Sequence, residues 1–251
     1  MPAAKPILIL QTGDAPSDVR QANGNYDRMF LAAAGLAPDR VVVIHLPSGG
    51  RPDEPQAYCG VLITGSAAMV TERLAWSEFA AQWLRTAMAE QIPIFGVCYG
   101  HQLLAYALGG KVDFLDGGME LGTHPIELLP DAQDDPLLAA MPRQFAANLI
   151  HSQTVVSPPA GATVLARSAR DPHQILRYRP NVVTTQFHPE FTAGVMQDFL
   201  QEMAQQQPDR QPELARIGLD IADTPDSESL MARFVRQCIG TGPSPRPAGQ
   251  D

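Results

Sequence analysis

Four short apolar runs in the first hundred residues carry no polar alternation: Pro6–Leu10, Val41–Leu46, Gly60–Thr64 and Ile92–Val97. A strand with one wet face alternates polar and apolar side chains, so an unbroken run predicts burial on both faces. That environment is a parallel sheet covered by helices, because parallel neighbours need crossover connections. The segments between the runs have the helical period such crossovers require. Tyr26–Ala34 reads as a helix closed by Gly35, and Trp76–Glu90 repeats apolar residues at Trp76, Phe79, Ala80, Trp83, Leu84 and Ala87. His101–Leu108 reads as a third helix, stopped by Gly109-Gly110. The expected fold is α/β, with helices on both faces of a mostly parallel sheet.

From Lys111 to Thr185 the pattern changes to short strands broken by Gly and Pro: Val112–Leu115, Thr123–Leu129, Phe145–Val156, Thr163–Ala169, Gln174–Tyr178 and Val182–Gln186. These predict an antiparallel extension of the sheet. Asp134–Met141, with Pro136 in its first turn, predicts a short helix, and Thr192–Gln205 a longer one. Gln205–Gln211 is polar and carries a proline; Asp226–Cys238 predicts a last helix ended by Gly240. The expected organisation is one domain over residues 1–205, a helical extension over 206–240, and a disordered, proline-bearing tail over 241–251.

Composition excludes several classes. No run approaches the roughly 18 apolar residues of a membrane span, and the start holds only Ile7–Leu10 as an apolar stretch, too short for a signal-peptide core. The 251 residues carry 18 Lys and Arg against 27 Asp and Glu, a net charge of −9. That balance argues against a nucleic-acid partner, since phosphate binding runs on clustered cations. Three cysteines, Cys59, Cys98 and Cys238, form no Cys-x-x-Cys pair, and the six histidines are scattered. Neither a disulfide framework nor a zinc site is expected, and the default compartment is the reducing, cytoplasmic one. Cys59 and Cys238 are read as structural.

Cys98 stands apart. In Ile94-Phe95-Gly96-Val97-Cys98-Tyr99-Gly100-His101-Gln102 it falls between a buried strand and a helix, with glycines two residues before and two after. That is the layout of a nucleophile elbow: a tight turn that projects the side chain from the carboxyl edge of a sheet. A helix N-terminus favours thiolate, and the N–H of Tyr99, next in the chain, can donate to an oxyanion. A buried structural cysteine is the competing reading, which the paired glycines disfavour. About 90 residues later comes Gln186-Phe187-His188-Pro189-Glu190-Phe191. In extended backbone, residues two apart face one side, so Glu190 is expected to hold the ring of His188, a general base. Pro189 stiffens the segment.

Taken together, Gly96-Val97-Cys98-Tyr99-Gly100-His101-Gln102 and Gln186-Phe187-His188-Pro189-Glu190 resemble the class I, or triad, glutamine amidotransferases, in particular the glutaminase domain of GMP synthases. The resemblance runs from about Ile7 to Gln205. It implies a flavodoxin-like three-layer sandwich that hydrolyses the glutamine side-chain amide through a γ-glutamyl thioester. Carried over, Cys98 is the nucleophile, His188 the base and then the acid, and Glu190 the orienting carboxylate. Gln102 matches a position that helps hold bound glutamine. The second oxyanion donor falls at Gly65 or Ser66, where relatives often have Gly then Pro. His151-Ser152-Gln153 stands where relatives often read His-x-Asp; His151 and Ser152 are placed at the substrate, although an ordinary loop histidine is an equal reading. Gln153 lacks the charge of that Asp. His101 is read as packing.

No metal or nucleotide cofactor is expected for this chemistry. The chain has neither a Gly-x-x-x-x-Gly-Lys phosphate loop nor a pyrophosphatase loop of the GMP synthase type, and some 45 residues beyond the domain leave no room for a synthase. The expected activity is release of ammonia from glutamine for a separate synthase subunit or acceptor. An independent γ-glutamyl peptidase or hydrolase is the alternative. A non-catalytic binding protein on the same fold is a third.

Overall fold

The computed structural model describes residues 5–239, except the side chain of Cys238. The expected tail over 241–251 and the structural reading of Cys238 lie outside the described residues.

Helices α1 (Ser17–Asn23) and α2 (Tyr26–Ala34) lie between strands β1 (Ile7–Gln11) and β2 (Val41–His45), a short 3-10 turn at Pro55–Ala57 between β2 and β3 (Gly60–Ile63), and α3 (Ala75–Ala89) between β3 and β4 (Ile94–Val97). Helix α4 (Tyr99–Ala107) follows β4 after a single residue. Then come β5 (Lys111–Phe114), β6 (Glu120–Leu128), β7 (Gln144–His151), β8 (Gln153–Ser157), β9 (Thr163–Arg167), β10 (Ile175–Arg179) and β11 (Val182–Thr185). Helices α5 (Ala193–Gln206), α6 (Gln211–Leu219) and α7 (Pro225–Phe234) close the chain.

Nine strands form one sheet in the order β2-β1-β3-β4-β11-β10-β9-β6-β7. The pairs from β2 to β11 are parallel and those from β11 to β7 antiparallel. This is the α/β sandwich with an antiparallel extension. Alternate residues of the central strands feed two cores, as a period of two requires. Ile7, Ile9, Leu62, Phe95 and Val97 face α2 and α7; Leu8, Leu10, Val61, Ile63 and Ile94 face α3 and α4. Phe234 of α7 lies 5.3 Å from Phe95, ring to ring, so the C-terminal extension fills one side of the same core.

Three local expectations are corrected. Val42 and Val43 of β2 are 36% and 37% exposed, because this strand has only β1 beside it. The run Phe145–Val156 divides at Ser152: β7 stays opposite β6, while β8 turns away to pair with β5 in a second small sheet. Asp134–Met141 is a 3-10 turn over Pro130–Asp134 followed by further turns; Asp135 caps Leu137 N–H and pairs with Arg177 instead of continuing a helix. The polar stretch after α5 leads directly into α6, whose Leu214 is buried with α5. No described helix is long and apolar enough to cross a membrane.

Candidate active site

Cys98 is the one residue between β4 and α4, and its backbone is held at φ +50° and ψ −99°. Side chains rarely adopt that region; it costs about 1–3 kcal/mol and persists only where surrounding structure enforces it. Here Cys98 N–H donates to Thr185 O at 2.8 Å, and Gln102 N–H donates to Cys98 O at 3.0 Å. Both bonds hold the turn from opposite sides. Gly100 explains the sequence around it: a Cβ there would sit 2.8 Å from both Cβ and O of Ile63, so α4 packs on β3 only without one. The thiol lies 3.8 Å from the Ile150 carbonyl.

His188 follows β11 by three residues, and the segment from it to Glu190 does not continue as a strand. Phe191 N–H returns to His188 O at 3.3 Å, so His188-Pro189-Glu190-Phe191 is a turn with proline at its second position. The expected outcome, both side chains on one side, comes from this turn and not from strand alternation. His188 N–H donates to Asn148 O at 2.9 Å, and Asn148 Nδ2 donates to Phe191 O at 2.8 Å. Asn148 of β7 thus pins both ends of the turn. Glu190 Oε1 accepts from His188 Nδ1 at 2.8 Å, which places that proton on Nδ1. Nε2 is buried with no hydrogen-bond partner among the described residues. Burial alone would disfavour the imidazolium. The charges of Glu190 and then Cys98 outweigh it, and the His188 pKa is pushed up to about 10.

The backbone at Gly65 lies close to both Cys98 and His188: a Cβ there would lie 3.0 Å from His188 Cε1 and 3.6 Å from Cys98 Cβ. Thr12 Oγ1 lies 2.9 Å from Thr64 O and 2.8 Å from Gly65 O. In trans peptides the N–H points opposite the carbonyl, so the Gly65 and Ser66 N–H groups are both turned away from Thr12. Tyr99 is the first residue of α4, where an N–H has no carbonyl one turn earlier to bond. Its side chain is occupied elsewhere, donating to Ser77 Oγ at 2.6 Å.

Gln102 lies one turn into α4, and its Nε2 donates to Gln153 O at 2.7 Å and Gln186 Oε1 at 3.0 Å. His151 ends β7 and is buried; its Nδ1 lies 3.0 Å from Gln153 O and its Nε2 3.0 Å from Glu120 Oε2. Burial opposes ionisation of Glu120, but hydrogen bonds from His151 and Ser168 hold its carboxyl below the usual range. Glu120, His151 and Asp171 place their donor atoms within 4.8 Å of one another. Each is already engaged in protein hydrogen bonds, Asp171 with Thr154 Oγ1 at 2.7 Å, so the cluster is a buried network. His101 is fully buried with Nδ1 2.7 Å from Thr184 Oγ1; burial pushes its pKa down to about 3, so it packs as a neutral ring.

A cleft of about 230 Å³ collects Cys98, Tyr99, Gln102, His151, Ser152 and His188 on its lining. Gly65 and Glu190 stand behind it, against His188. Tyr26, Phe199 and Met203 also line it, and the sequence reading passed over them. The helical period of α5 was legible, but not which of its residues would look into a cleft built from other elements.

The glutamine amidotransferase class-I family model matches residues 43–205. The GMP synthase [glutamine-hydrolyzing] of Thermomicrobium roseum is 34% identical over 131 residues, 52% of this chain but only 23% of that protein. Gamma-glutamyl peptidase 5 of Arabidopsis thaliana is 25% identical over 193 residues, covering 75% of this chain and 76% of the peptidase. A solved glutamine amidotransferase from Thermotoga maritima superposes with a TM-score of 0.72, covering 94% of this chain and 99% of its own, at 17% identity, a likeness of fold.

Proposed function

The chain belongs to the class-I glutamine amidotransferase family, and from that premise we propose that it hydrolyses a γ-glutamyl amide through a thioester on Cys98. One observation carries the reading: a thiol on a strained strand–helix elbow shares a cleft with an imidazole whose far nitrogen is held by a carboxylate. The Cys98 sulfur attacks the amide carbon as a thiolate, its proton already held on His188. The N–H of Tyr99, with that of Gly65 or Ser66, receives the developing oxyanion; loss of one such donor typically costs about 3 kcal/mol. His188 returns its proton to the departing nitrogen. A water, deprotonated by His188, then attacks the thioester and releases glutamate. Gln102, His151 and Ser152 are assigned to the glutamyl group.

Glutamine is the simplest such amide, and its ammonia would pass to a separate synthase or acceptor. A γ-glutamyl peptidase is the second reading. What favours it is coverage: this chain matches three quarters of the peptidase's length but about a quarter of the GMP synthases it resembles. The test is glutamate release by the purified chain from glutamine and γ-glutamyl compounds, with Cys98→Ala as control. Release is expected to vanish in the variant while circular dichroism is unchanged; turnover surviving in Cys98→Ala would overturn the reading.

A further inference from the structure

The proposed chemistry gives the cleft a direction. The departing nitrogen must meet His188 Nε2, because that group protonates it. The His188 ring lies face to face with Phe191, centroids 4.0 Å apart and planes 6° apart. Phe191 in turn stacks on Tyr26 at 6.5 Å and meets Phe199, tilted by 31°, at 4.9 Å. Met119, Ile150 and Met203 pack against the same group and line the cleft with it. The lining beside His188, the group that protonates the departing nitrogen, is therefore rich in aromatic and thioether surface. Gln102, Ser152 and Gln153 supply polar side chains to the same lining.

Ammonia is small and strongly hydrated, and it needs no such wall. Apolar surface lining an open cleft is favoured when it receives apolar surface, at roughly 25 cal/mol per Å² buried. The described lining also holds no Lys or Arg, so nothing there pairs with the carboxylate of an amino-acid leaving group. We propose that the substrates are γ-glutamyl amides of uncharged apolar amines, whose hydrocarbon or aryl group lies against Tyr26, Phe199 and Met203. This deepens the hydrolase reading and rests on it. Phe199 and Met203 act here on specificity, not on the chemical step. Acyl transfer is unchanged: the C–N bond breaks, the amine leaves with the proton from His188, and water completes the hydrolysis.

The test compares glutamine, γ-glutamylphenethylamide and γ-glutamylphenylalanine, which carries the same ring plus a carboxylate. The readout is kcat/KM for glutamate release. The uncharged amide is expected to exceed both others by about tenfold or more, the scale on which an apolar pocket discriminates. The preference over glutamine is expected to collapse in Phe199→Ala, and in Met203→Ala, which keeps the test available if the first variant folds poorly. Glutamine or the carboxylated amide turned over as well as the uncharged amide would overturn the specificity and leave the hydrolase standing. An intact ratio in both variants would overturn the role of the wall. Release from none of the three would overturn the hydrolase reading, and the specificity with it.

Discussion

Glu190→Gln tests whether a buried negative charge sets the working state of His188. The substitution keeps the side-chain volume and an oxygen able to accept from His188 Nδ1, now 2.8 Å away; what it removes is charge. The lift of His188 from 6.5 to about 10 corresponds to about 5 kcal/mol at 1.36 kcal/mol per pH unit. Burial works against that lift, and Glu190 is the largest group working for it. Without the carboxylate, the value should fall to 6.5 or lower. The sign follows: a raised pKa contributes favourably below 6.5, and the contribution is lost as pH rises through about 10. The alkaline limb of kcat/KM, expected near pH 10 in the native protein, should therefore move down by about three pH units. At pH 8, titration alone should cut the rate about 30-fold. The gap in urea stability between the two proteins should be widest below pH 6.5 and narrow towards pH 10. Glutamate release measured from pH 6 to 10.5, with circular dichroism to confirm folding, decides it. An alkaline limb that stays in place in folded Glu190→Gln would refute the electrostatic account.

Other substitutions test the elbow and the packing. Gly100→Ala forces a Cβ to within 2.8 Å of the Ile63 backbone; a loss of about 1–3 kcal/mol in urea unfolding, together with lost turnover, is expected. Cys98→Gly should be inactive yet more stable than Cys98→Ala by about 1 kcal/mol, since glycine relieves the φ of +50° at a smaller entropic cost. Equal stability would mean that the turn is not strained. Asp135→Ala leaves Arg177, paired with it at 2.7 Å and largely buried, without its partner; an unfolding penalty of about 3–5 kcal/mol is expected.

Much of this was legible in the chain. The apolar runs place β1, β3 and β4 at the sheet centre because period-two strands buried on both faces have nowhere to put polar side chains. The glycines around Cys98 mark a turn that side chains would obstruct, and His188 and Glu190 belong to a short segment that one proline stiffens. Such information is local: each element depends on residues within a turn or two of its own position. The less legible features depend on distant neighbours. Whether Val42 and Val43 are covered depends on β2 lying at the edge, where no second strand pairs with it. The break at Ser152 depends on two different partners, β6 and β5.

The sequence by itself determined the α/β class, the strand–helix turn at Cys98 and the closeness of His188 to Glu190, since these follow from periodicity and short spacing. Only the tertiary structure decided what surrounds them. Gln102 finds Gln153 and Gln186 across 51 and 84 residues. His151 finds Glu120 across 31. The wall of Tyr26, Phe191 and Phe199 is assembled from α2, the turn after β11 and α5. The physical reason is that apolar contact has no direction and no preferred sequence distance. Which apolar faces meet, and so what shape the cleft presents, is settled only when the sheet brings those elements to one edge.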